Sequence, residues 1–149
     1  MTVDPIAIEL FAPGEAKGRL LHLEEPLSFW GGVDLTSGAI IDVNHPQRGC
    51  SLIDVILVMD QTKGSTAGAG ALLELIVSGH GPAGVFTYDP DPAPIAASKT
   101  AAMLGHRAMP VGLISKSLRP VLKRFGPGVD GGQFVVQCSK NTLRVMESD

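Results

Sequence analysis

At 149 residues, with 44% hydrophobic and 18% charged side chains, the chain is long and apolar enough to bury one core, which excludes a disordered segment. A net charge of −3, scattered basic residues and 5% aromatics exclude the usual electrostatic and stacking routes to nucleic acid. So few charges also leave apolar surface that a partner chain is expected to cover.

Taken in chain order, residues 6–11 and 18–23 read as short strands joined across "APGEAKG", where Pro13 and Gly14 supply a turn. "LSFWGGVDLTSG" (27–38) reads as an irregular loop, and the β-branched "AIIDV" (39–43) as a strand. "NHPQRGCS" (44–51) follows as a loop around Pro46. "LIDVILVMD" (52–60) is nearly continuous in Ile, Val and Leu, which suits a strand covered on both faces. After the glycine-rich "KGSTAGAG", Leu72, Leu73, Leu75, Ile76 and Val77 fit a short buried helix with Gly79 as its C-terminal cap. "AGVFTY" (83–88) is a strand, and an alanine-rich helix runs over 95–104 and closes at Gly105. "MPVGLIS" reads as a strand, and "SLRPVLKRFG" as a helix capped by Ser117 with Pro120 in its first turn. "GGQFVVQCS" and "TLRVME" close the chain as strands. The order predicts a mixed α/β domain over 1–149 with short flanking helices and parallel central strands.

The two cysteines, Cys50 and Cys138, cannot hold a typical metal cluster and read as small buried hydrophobes, consistent with a reducing cytosol. The start "MTVDPIAIELF" lacks a basic n-region followed by a long apolar run, and no segment of about 20 apolar residues exists. A soluble, cytoplasmic chain without a membrane partner is expected. His22, His45, His80 and His106 show no ligand spacing, so no metal site is expected here. Trp30 reads equally as a core anchor or as a partner contact.

The turn that opens the helix after "ILVMD" carries the chemistry. Backbone N–H groups and the helix dipole favour an anion there. The P-loop order fails, since Lys63 precedes Gly64 and Ser65, and no dinucleotide fingerprint fits. Ser65 or Thr66 could merely cap the helix. The density of glycines at 64, 68 and 70 instead permits close approach of a ligand. His45 keeps a second place, beside Asp42 and Arg48 in a proline–glycine loop.

Three segments, "GGVDLTSGAIIDVNHPQRGCSL", "ILVMDQTKGSTAGAGALLELIVSGHGPAGVF" and "MPVGLIS", together resemble the small swivelling domain of the aconitase X family of hydro-lyases, over roughly 27–115. The resemblance implies a swivelling β/β/α fold packed on a large catalytic subunit. That subunit would hold the iron or iron–sulfur centre through its own cysteines. Classical aconitases carry a Gly-Ser-Ser-Arg turn whose first serine is the base, and Ser65 falls at the corresponding place. Thr66 and Ala67 stand where serine and arginine would lie, so the obvious carboxylate clamp is lost. On this resemblance Ser65 is the expected base, Gly64, Thr66, Ala67 and Gly68 shape the anion-binding loop, and His45 and Asp34 line the cleft. The implied substrate is a hydroxy acid, cis-3-hydroxy-L-proline on the strength of "HPQ", with mevalonate 5-phosphate as the rival. A non-catalytic structural subunit is a separate reading. A phosphohistidine carrier is another, although "WGGVDLTSG" lacks the histidine such carriers need.

Overall fold

The computed structural model describes residues 4–64, 67–125 and 134–147. Three strands open the chain: β1 (Ile6–Ala7), β2 (Glu9–Ala12) and β3 (Ala16–His22). Next come a distorted single turn, α1 (Phe29–Gly32), then β4 (Ile56–Met59), α2 (Ala67–Ser78), β5 (Gly84–Thr87) and α3 (Pro92–Met103). The remainder is β6 (Val111–Leu113), α4 (Arg119–Phe125), β7 (Phe134–Ser139) and β8 (Thr142–Glu147). Among the described residues these strands form a mixed sheet in the order β1-β8-β7-β3-β4-β5-β6-β2. Its centre, β3-β4-β5-β6, is parallel, with α2 and α3 making the last two crossovers. Antiparallel pairs finish both sides: β2 on β6, and β7, β8 and β1 in succession beyond β3.

The continuous apolar run of β4 follows from its place in this sheet. Leu57 and Met59 pack with Leu72 and Leu75 of α2 and Ala97 of α3. Ile56 and Val58 point to the opposite face, into a cluster with Phe86, Leu122 and Val145. A strand covered on both sides has no use for alternating polar residues. Burying each such side chain is worth about 1.5–3 kcal/mol relative to leaving it in water. The parallel centre and both-sided burial agree with the reading of the sequence.

Helix ends follow local chemistry. At the end of α2 the Gly79 N–H donates to Ile76 O at 3.2 Å and the His80 N–H to Leu75 O at 2.9 Å, with Gly79 at φ 82°. This pair of bonds is the Schellman arrangement, which needs a left-handed residue at the first position past the helix. Gly105 repeats it after α3, donating to Ala102 O at 3.0 Å while His106 donates to Ala101 O at 3.0 Å.

Four local expectations are corrected. Residues 39–43 are not a strand; Ala39 and Ile40 make only isolated bridges, to Ser51 and Val33. The cause is Asp42, whose carboxylate accepts from Asn44 N at 2.9 Å and turns the chain. The strand expected over 52–60 begins only at Ile56. The Ser51 hydroxyl accepts from Ile53 N at 3.1 Å and Asp54 adopts φ 56°, making a turn first. The alanine-rich helix starts earlier, at Pro92, because Asp91 caps it and proline suits its first turn. Ser115, not Ser117, opens the next helical segment, a 3-10 turn over Lys116–Leu118 that runs into α4.

One polar set, buried at His22 and Tyr88, ties the carboxyl ends of β3, β4 and β5 to α4. His22 Nε2 lies 2.8 Å from the Tyr88 hydroxyl, and the Arg119 guanidinium sits 4.9 Å above the Tyr88 ring. Arg119 also pairs with Asp60 at 2.6 Å, at the start of the loop that leads to α2. Burial holds His22 below its ordinary range and Tyr88 above its own, so both are neutral near pH 7. No helix among the described residues is long and apolar enough to cross a membrane.

Candidate functional site

The loop between Met59 and Ala67 leaves the carboxyl end of a central parallel strand, where open α/β sheets form their ligand crevices. Its first half is fixed by backbone. Thr62 bridges Leu27, and the Lys63 N–H donates to Leu27 O at 3.0 Å. Gly64 has φ 108°, and a Cβ there would lie 3.0 Å from the Ser28 hydroxyl oxygen. Both the conformation and the space therefore select glycine. Ser65 and Thr66 lie outside the described residues. Ala67 then opens α2 at the surface, Gly68 is buried, and no acidic residue in the first turn offsets the positive end of the helix dipole.

A cleft of ≈ 390 Å³ opens beside this loop, lined by Thr62, Gly64 and Ala69 on one side and by Asp91, Pro92, Ala93 and Ala96 of the α3 start on the other. Asp91 is its ionisable lining residue and is 9% exposed. Its Oδ1 accepts from Ala93 N at 3.2 Å, and its Oδ2 accepts from Thr62 N at 2.6 Å and from the Thr62 hydroxyl at 2.7 Å. Neither Asp91 nor Thr62 stood out in the sequence. Asp91 before Pro92 is readable as a helix cap, but the bond to Thr62 spans 29 positions and leaves no local signal. A second cleft, ≈ 350 Å³, lies at the far end of α2 around Gly79, Pro82 and Arg107.

The secondary candidates sit elsewhere. His45 is buried, with Nε2 3.1 Å from Glu25 O and Nδ1 accepting from Gln47 N at 3.1 Å. Both ring nitrogens are thus engaged by backbone, and His45 is not part of the cleft lining. It braces the loop that Gln47 ties to His22 O at 2.8 Å. Asp34 accepts from Thr36 N at 2.8 Å and Ser37 N at 3.4 Å, closing a tight turn outside the cleft. The Thr36 amide, ahead of smaller contributions, holds its carboxyl below the ordinary range.

Trp30 is 61% exposed, which decides between its two readings against a core anchor. Ile41 and Val43, 46% and 69% exposed, lie on the segment whose Ile41 N–H donates to Gly32 O at 2.9 Å. An apolar rim therefore flanks the loop's Ser28 side. Cys138 is buried and its thiol is pushed up to about 11, by burial first and then by Glu15. Burial also raises the half-buried Cys50 thiol. Neither is a ready thiolate ligand at neutral pH. Among the described residues no group of three His, Cys, Asp or Glu side chains could hold a metal ion, so the donor set does not fit an iron centre.

The family model described as aconitase X swivel domain matches residues 6–122. The cis-3-hydroxy-L-proline dehydratase of Pseudomonas aeruginosa is 37% identical over 103 residues, 69% of this chain and 18% of that protein. The phosphomevalonate dehydratase small subunit of Methanothermobacter thermautotrophicus is 35% identical over 79 residues, 53% of this chain and 60% of that subunit. The matched region thus spans less than two thirds of either relative. The crystal structure of Thermococcus kodakaraensis aconitase X (holo-form) shares the fold, with a TM-score of 0.78 over 97% of this chain and 100% of that one at 21% identity.

Proposed function

Because the chain belongs to the aconitase X swivel-domain family, we propose that it acts, as one swivelling domain over 1–149, as the small subunit of a hydro-lyase that dehydrates a small hydroxy acid. The observation that carries this is the cleft between the starts of α2 and α3, which opens directly beside Gly64, the residue before Ser65. In this reading Ser65 takes the proton from the carbon α to the substrate carboxylate. The electron pair of that C–H bond forms the new double bond, the hydroxyl group leaves, and water is the second product.

A serine hydroxyl is far too weakly acidic to act unaided, so its oxyanion needs preorganised donors. The amino-terminal end of α2 supplies the dipole, and Gly64 and Gly68 let backbone come close. Thr66 and Ala67 complete the anion-binding loop. His45 acts at one remove, through the segment that Gln47 ties to His22, whereas the Asp34 turn sits, through Gly38, against His80 at the far end of α2. The iron or iron–sulfur centre of the reaction falls to a larger catalytic partner, and the exposed Trp30 rim is surface such a partner would bury.

For the substrate, the match to the cis-3-hydroxy-L-proline dehydratase of Pseudomonas aeruginosa covers 69% of this chain at 37% identity, against 53% at 35% for the Methanothermobacter small subunit, which supports cis-3-hydroxy-L-proline over mevalonate 5-phosphate.

Recombination with the larger partner tests the reading. This chain alone is expected to show no dehydratase turnover, and the recombined enzyme to dehydrate cis-3-hydroxy-L-proline. Full activity from this chain alone, or turnover of mevalonate 5-phosphate in place of the imino acid, would contradict it.

A further inference from the structure

We infer that Asp91 is a positioning residue for the Ser65 loop and acts through Thr62. A helix cap needs one carboxylate oxygen, and Oδ1 meets that need by accepting from Ala93 N. Oδ2 is left over, and it takes both the amide and the hydroxyl of Thr62, at 2.6 and 2.7 Å. With Asp91 9% exposed, these charge-assisted bonds are about twice as strong as neutral ones and weakly screened.

Thr62 is thereby locked to the α3 start, while Ala67 is locked into α2. Only Lys63, Gly64, Ser65 and Thr66 span the gap. With so few residues between two fixed ends the span has little slack, so a slip at Thr62 moves Gly64, the residue that leads into Ser65. A misplacement of about 1 Å at a reacting group costs on the order of a hundredfold in rate.

A second carboxylate provides the contrast. Asp42 faces the next residue, Lys63, at 3.7 Å, with side chains 20% and 56% exposed. An ion pair that long and that wet holds little. Two acidic residues thus approach consecutive positions of one loop, and of these two carboxylates geometry gives Asp91 the hold, beside the backbone bond from Lys63 to Leu27 O.

The activity arm of the test rests on the proposed role of Ser65, whereas the exchange arm does not. In the assembled two-chain enzyme, Asp91→Ala and Thr62→Val are expected to lower kcat by about tenfold to a hundredfold with KM within about threefold. Asp91→Asn, which keeps one acceptor oxygen, recovers part of the loss. Asp42→Asn stays within about twofold of wild type. Adding Thr62→Val to Asp91→Ala costs little further, because the acceptor of the Thr62 hydroxyl is already gone.

Amide hydrogen exchange at Thr62 is expected to quicken in Asp91→Ala but not in Asp42→Asn. Should Asp91→Ala fail to fold, Thr62→Val, which leaves the Ala93 cap intact, decides the matter. Wild-type kcat per folded molecule in Thr62→Val, or unchanged Thr62 exchange in a folded Asp91→Ala, overturns the inference. If the wild-type assembly lacks dehydratase activity, the proposed function fails and the exchange result still decides for or against Asp91.

Discussion

Ser65→Ala, in the enzyme assembled with its larger partner, is expected to lower kcat by about 10²–10⁴-fold. The substitution removes the oxygen proposed to take the proton and little else, since alanine keeps the Cβ and the backbone. The proposed function leaves substrate binding to the loop amides and the cleft walls, so KM should move by less than about tenfold, and kcat and kcat/KM should fall together. The nearby hydroxyl of Thr62 is no substitute, because it already donates to Asp91. Ser65→Thr, which retains a hydroxyl, should keep part of the activity. Steady-state kinetics on both variants read this directly, and near-wild-type kcat in Ser65→Ala would exclude the serine as base.

Phe86→Ala is expected to be the most damaging change in the core. Phe86 is fully buried in the middle of β5, with Ile56, Val58 and Leu122 in the same cluster. Neighbours on both adjacent parallel strands hold its walls in place, so the site cannot collapse to fill the void. Removing a buried phenyl ring costs about 3–5 kcal/mol. That is a large share of the roughly 5–15 kcal/mol by which a domain is stable, and the melting temperature should drop by on the order of 10 °C. Met103→Ala is the control, because Met103 is 87% exposed at the end of α3 and should stay within about 0.5 kcal/mol of wild type. Comparable melting temperatures for the two variants would contradict the burial assigned to Phe86.

What was legible in the sequence was set by local physics. The apolar run of β4 announced a strand buried on both faces, and Gly79 and Gly105 announced helix ends, because left-handed caps demand glycine. The loop carrying Ser65 was placed between the right two elements for the same reason. Residues 39–43 misled because β-branched composition was outvoted by one side chain, Asp42, which offers the backbone a turn.

The partnership of Asp91 and Thr62 was invisible because it is purely tertiary. His45 looked functional for its polar company in a proline–glycine loop. The structure gives that company a bracing task, with both ring nitrogens facing backbone. The exposure of Trp30 could not be read either, since the same residues would suit a core or a rim.

A structure of the two-chain enzyme with substrate bound is the most direct measurement of whether this chain supplies the base. The Ser65 hydroxyl oxygen is expected to point into the Thr62–Asp91 cleft and lie within about 3–3.5 Å of the carbon that loses its proton. A Ser65 oxygen turned into this chain's own interior, or another group at that distance from the carbon, would contradict it.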